Sequence, residues 1–83
     1  MSKIEFTKHA KYQLKARYIS KAEVFSVLAK PDKVILQSNL RKKALKLFHK
    51  NGRMYLLIVI YEEVYGKITI VTALITSKLK KYS

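Results

Sequence analysis

The stretch Ala44-Leu45-Lys46-Leu47-Phe48-His49-Lys50-Asn51-Gly52-Arg53-Met54-Tyr55-Leu56-Leu57-Ile58-Val59-Ile60-Tyr61 decides the fold. Asn51-Gly52 lies between two runs rich in aliphatic and aromatic residues, which is a strong short-range hairpin signal. A two-residue turn with positive φ at both positions suits Asn-Gly and matches the twist of the flanking strands. Such a turn pairs Lys50 with Arg53, Phe48 with Tyr55 and Lys46 with Leu57, and so sets the register. Working outward, residues 33–37 and 68–76 also read as strands, with residues 62–67 as the loop of a second hairpin. If Tyr61 lies opposite Ile68, Thr72 falls opposite Leu57 and Thr76 opposite Arg53.

Upstream the hydrophobic period changes. Pro31, the only proline, separates this strand-patterned region from a helix-patterned first third. After a short extended stretch at Lys3–Phe6, Thr7 caps a first helix expected to reach about residue 18, with Ala10, Leu14 and Tyr18 as its apolar stripe. Ser20-Lys21-Ala22-Glu23 has the form of a capping box and opens a second helix, whose buried face is Val24, Phe25, Val27 and Leu28. That helix should stop near Ala29, because the residue before a proline resists helical geometry. The expected fold is α+β: two N-terminal helices packed on an antiparallel β-sheet of three to four strands. It forms a single domain over residues 1–76 with a basic C-terminal tail at 77–83.

Alternation in the strands sorts side chains onto two sheet faces. Leu45, Leu47, Met54, Leu56, Ile58, Ile60, Val71, Ala73 and Ile75 make the expected bed for the helices. Lys46, Phe48, Lys50, Arg53, Tyr55, Tyr61, Thr72 and Thr76 fall on the other face, where cations interleaved with aromatics offer phosphate contacts and stacking platforms together.

Charge points the same way. The chain has 83 residues, 18 Lys plus Arg against 5 Asp plus Glu, and a formal net charge of +13. Two domains do not fit in this length, and a hydrophobic content of 49% argues against a disordered basic tail. Self-repulsion at this charge favours anionic partners, and nucleic acid heads that list. The absence of cysteine fits a reducing compartment. The N-terminus has no apolar leader pattern, and the longest apolar run, residues 54–61, falls far short of the roughly 20 residues a membrane span needs. A cytoplasmic protein without membrane contact is expected.

Several reaction classes fall away. With two glycines in total there is no phosphate-binding glycine loop, and with no cysteine and two separated histidines there is no recognisable metal set. No cofactor is expected. The first helix is more informative, because His9, Gln13 and Arg17 recur at a spacing of four and form one ridge beside the apolar stripe. Cleavage of RNA by its own 2′-hydroxyl needs a base, cations for the charged phosphorane and an acid for the leaving oxygen. His9 and Arg17 on the helix, with Lys46, Tyr55 and Thr72 on the sheet, supply those groups without metal. Arg41, Lys42 and Lys43, with Lys50 and Arg53, are the candidate phosphate contacts. The plainer readings are His9 as a surface residue of the first helical turn, Arg17 as a stem laid over the core, and the strand cations as solvated charges that discourage edge pairing.

These residues also form a pattern. Phe6-Thr7-Lys8-His9-Ala10, then Arg17-Tyr18-Ile19-Ser20, then Val27-Leu28 before Pro31, and Ile70-Val71-Thr72 resemble the domain of unknown function 4258 family. That family looks like a branch of the RelE-like fold, which includes the BrnT-type ribonuclease toxins. The resemblance implies that His9, Arg17 and Thr72 match the family's helix histidine, second helix arginine and last-strand threonine. Gln13 stands where the family often has another arginine, and Tyr18 replaces its usual glycine. By this likeness the chain is expected to be a RelE-like, RNA-binding, metal-independent endoribonuclease, regulated by an acidic antitoxin and able to associate with ribosomes. Two rivals stay open. One is a non-catalytic nucleic-acid-binding module, and the other is a toxin-like protein inhibitor of a nucleic-acid enzyme, since members of this fold include toxins that block DNA gyrase.

Overall fold

A computed structural model describes residues 3–38 and 40–77, and for Lys50 the backbone alone. The elements in chain order are β1 (Lys3–Phe6), α1 (Lys8–Ala16), α2 (Lys21–Ala29), β2 (Lys33–Leu36), β3 (Arg41–Lys50), β4 (Arg53–Val64) and β5 (Lys67–Thr76). They build an α+β fold of two helices on one five-stranded sheet of order β1-β5-β4-β3-β2. The sheet is mixed: β1 runs parallel to β5 and every other pair is antiparallel. The three or four strands read from sequence are thus joined at one edge by Lys3–Phe6, too short a segment to show alternation by itself. Lys78 to Ser83 of the expected basic tail lie outside the described residues.

Local chemistry explains the helices. Thr7 has extended backbone and its side chain accepts from the Ala10 N–H at 3.0 Å, while its hydroxyl donates to the Val71 carbonyl at 3.2 Å. One side chain therefore both starts α1 and ties it to β5. Ser20 and Glu23 form the full capping box of α2, each side chain bonding the other's backbone N–H at 3.1 and 2.9 Å.

The first helix ends earlier than the spacing suggests. Arg17 is its C-cap, Tyr18 turns left-handed at φ 56°, and Ile19 donates back to the Leu14 carbonyl at 2.9 Å while Tyr18 donates to Lys15 at 3.4 Å. This is a Schellman turn, with Ile19 and Leu14 buried in the same cluster as its hydrophobic contact. The expected stripe is corrected accordingly: Ile19 takes the core place assigned to Tyr18, whose ring is 91% exposed.

The first hairpin has the expected register, Lys50 with Arg53, Phe48 with Tyr55 and Lys46 with Leu57. The second differs. Strand β4 continues to Val64, the turn shrinks to Tyr65-Gly66, Tyr61 pairs with Ile70, and an irregularity places Thr72 opposite Ile60 instead of Leu57. The displacement is even for residues 67–70 and odd for residues 72–76, so only the β5 side chains beyond the irregularity change face relative to β4.

Consequently the helices lie on the face opposite to the one expected for β3 and β4. Ala44, Leu57, Val59, Tyr61, Ile70 and Ala73 meet Ala10, Leu14, Val24 and Val27 in the main core, with Phe48 and Ile75 packed against it. Leu45, Leu56 and Ile58 form a smaller apolar cluster on the far side with Ile60 and Leu74. Strand β4 is apolar on both faces, so alternation does not say which one the helices cover. The alanines at 10, 44 and 73 do distinguish them, because small side chains leave the space a helix needs to pack closely on a sheet.

Candidate nucleic-acid interface

Five acidic side chains serve the whole chain, and the fold uses each of them locally. Glu5 bonds Lys67 at 3.1 Å and Lys3 at 3.4 Å. The Lys67 ammonium foremost, then Lys3, holds its carboxyl below the ordinary glutamate value. Glu62 meets Arg41 at 3.2 Å and Glu63 meets Lys42 at 3.4 Å across β3 and β4. Glu23 caps α2, and Asp32 accepts from the Leu47 N–H at 2.7 Å.

Helix α1 is left with cations only. Lys8, Lys11 and Lys15 are exposed, and no carboxylate occurs between Phe6 and Glu23. Tyr12, 69% exposed, projects opposite the Ala10–Leu14 stripe, one turn from both Lys8 and Lys15. The His9-Gln13-Arg17 ridge exists as its spacing predicts. His9 is an exposed residue of the first turn, and the Arg17 Nε–H donates to Gln13 Oε1 at 2.6 Å. Across the α1–α2 junction the Lys21 ammonium stands 5.3 Å from the Phe6 ring centroid, within range of its π-face.

The sheet residues do not converge on that ridge as one group. Lys46 is on the helix side but its ammonium donates to the Lys30 carbonyl at the end of α2, at 2.9 Å, where a cation suits the helix terminus. Tyr55 is half-buried on the helix side, paired with Phe48. Thr72 pairs with Ile60 and so occupies the opposite face from Lys46 and Tyr55. Of the phosphate candidates, Arg41 and Lys43 face away from the helices with Glu62 and Ile60, while Lys42 shares the helix side with Glu63. Arg53 is exposed beside the Asn51-Gly52 turn, and the Lys50 side chain lies outside the described residues.

Sequence reasoning passed over Tyr12 and misplaced Tyr18. The available signal for Tyr18 was its position two residues before a capping serine, where one helix must end before the next begins. Among the described residues no helix is long and apolar enough to cross a membrane, and no three His, Asp or Glu side chains gather as a metal-binding group. Comparison with curated proteins and with solved structures returns no match. A family model does match, over residues 6–75, nearly the whole described fold, and by it the chain belongs to the family described as Domain of unknown function (DUF4258).

Proposed function

We propose that this domain binds RNA through the solvent face of α1, with phosphates drawn to Lys8, Lys11 and Lys15. The observation that carries the reading is the division of charge. Glu5, Glu62 and Glu63 are paired at the sheet, while α1 presents lysines and an exposed tyrosine with no acid among them. Cations that already have carboxylate partners, such as Arg41 and Lys42, gain less from a phosphate than cations that have none. An acidic segment of a partner protein would suit the same face and compete with RNA for it.

A second reading adds cleavage. The His9-Gln13-Arg17 ridge favours it, because the guanidinium held by Gln13 shares one side of a short helix with an exposed imidazole. On this reading His9 exchanges the proton of the 2′-hydroxyl or of the leaving oxygen, and Arg17 stabilises the phosphorane. Lys46, Tyr55 and Thr72 are not needed for it.

Binding of a labelled single-stranded RNA across a salt series tests the first reading. Neutralising four to six phosphates gives a log-log slope of about −3 to −4 on single strands. Lys8→Glu, Lys11→Glu and Lys15→Glu together should weaken binding to all sequences, and a flat salt response would overturn the reading. Cleavage is tested in excess chelator, alone and with ribosomes. Products ending in a 2′,3′-cyclic phosphate, lost by about 10²-fold in His9→Ala with little change in affinity, are expected. Intact RNA under both conditions removes the ribonuclease reading and leaves the binding module.

A further inference from the structure

Tyr18 joins three properties that seldom coincide. Its backbone is left-handed at φ 56°, its ring is almost wholly in solvent and belongs to neither apolar cluster, and residues 7–22 around it contain cations and no carboxylate. The Schellman turn explains why the chain passes through this conformation. It does not explain a tyrosine, since glycine or asparagine makes the same turn with less strain. Burial does not explain it either. A strained residue that the packing does not use is a pointer to contact with a ligand.

Its surroundings define that ligand. Lys15 in the last turn of α1 and Arg17 at its C-cap precede Tyr18 in the chain, and Lys21 follows it as the first residue of α2. Tyr65 provides the contrast: it too is left-handed, at φ 51°, and fully exposed. Tyr65, however, follows Glu62 and Glu63 and precedes Lys67, whose ammonium is taken by Glu5. An aromatic face among cations that no carboxylate neutralises suits a base with its phosphates, and one in a balanced cluster does not.

We propose that Tyr18 is a base-stacking platform, on which one unpaired RNA base lies while Lys15, Arg17 and Lys21 take the adjoining phosphates. The inference rests on the nucleic-acid reading above and narrows its substrate to single strands, because both faces of a base inside a duplex are already stacked.

The test compares three probes by fluorescence anisotropy or competition: a single-stranded RNA of about twelve nucleotides, the duplex of the same sequence, and base-free inorganic polyphosphate. Tyr18→Gly and Tyr18→Asn both relieve the backbone strain, so their thermal midpoints should equal or exceed that of the natural protein. Their affinity for the single strand should nevertheless fall by roughly 5- to 150-fold, with duplex and polyphosphate affinities little changed. Tyr18→Phe should bind as the natural protein does, and Tyr65→Asn should leave all three affinities unaltered. Unchanged single-strand affinity in both Tyr18→Gly and Tyr18→Asn overturns the stacking role while salt-dependent binding survives. Equal losses on all three probes overturn it too, since the ring would then act on charge presentation alone. If the natural protein binds none of the probes at low salt, the nucleic-acid reading itself fails and this inference with it.

Discussion

Two hairpin turns of one geometry offer a stability experiment with its own control. Asn51 and Gly52 have φ of 53° and 76°, and Tyr65 and Gly66 have φ of 51° and 78°. A left-handed conformation costs an ordinary L residue roughly 1–2 kcal/mol, and asparagine escapes much of that through local hydrogen bonds of its short side chain. The Tyr65 ring is fully exposed, so removing it gives up no burial, and the Val64–Lys67 pairing at the turn is unaffected. Tyr65→Asn should therefore stabilise the domain by about 1 kcal/mol, which for a chain of this size raises the thermal midpoint by about 4–8 °C. Circular dichroism melts measure it, with urea titration confirming that the denaturant slope is unchanged. The reciprocal Asn51→Tyr should lower the midpoint by a similar amount. A lowered or unaltered midpoint in Tyr65→Asn at constant slope would refute the reasoning, since the ring would then be gaining contacts equal to its backbone cost.

Leu57 is fully buried in the main core, so Leu57→Ala should cost about 2–5 kcal/mol in chemical denaturation; a loss under 1 kcal/mol would mean the strand relaxes into the space. Ser20→Ala removes half of the capping box and should cost about 0.5–2 kcal/mol, with exchange of the Glu23 amide accelerating first. Glu5, held below the ordinary value of 4.5 by Lys67 and Lys3, contributes stability that is present above that value and lost as pH falls through its folded pKa. Glu5→Gln should accordingly lower stability near neutrality and flatten the acid limb, and identical acid limbs in the two proteins would exclude the ion pairs as a source of pH dependence.

The helices were legible because their signals are local. Thr7, Ser20 and Glu23 announce caps by their own chemistry, and Asn51-Gly52 announces a turn that leaves one register available. The faces of the sheet were not. In β4 the sequence Leu56-Leu57-Ile58-Val59-Ile60 is apolar at every position, so the choice of face rests on what packs there. The shift between Ile60 and Tyr61 adds an odd residue that no composition rule signals. For the candidate site the same split holds. The His9-Gln13-Arg17 ridge follows from helical spacing alone, whereas the grouping of Lys46, Tyr55 and Thr72 needed a strand register that the second hairpin does not have. Tyr18 was misread because a spacing of four continues a stripe only while the helix continues.

Pairing β1 with β5 also governs when the domain can assemble. The Thr7 hydroxyl reaches Val71 across 64 positions, and α1 finds its bed on β5. Helices of nine residues are marginal without such a bed. A ribosome needs on the order of seconds to deliver the residues between the two strands, and during that interval α1 and β1 have nothing to close upon. Folding through contacts this distant along the chain belongs to the milliseconds-to-seconds regime. Nascent chains stalled before Lys67 should be readily proteolysed, and chains whose β5 has cleared the exit should resist. Until that point the lysine-bearing first helix, without its place on the sheet, is held beside ribosomal RNA.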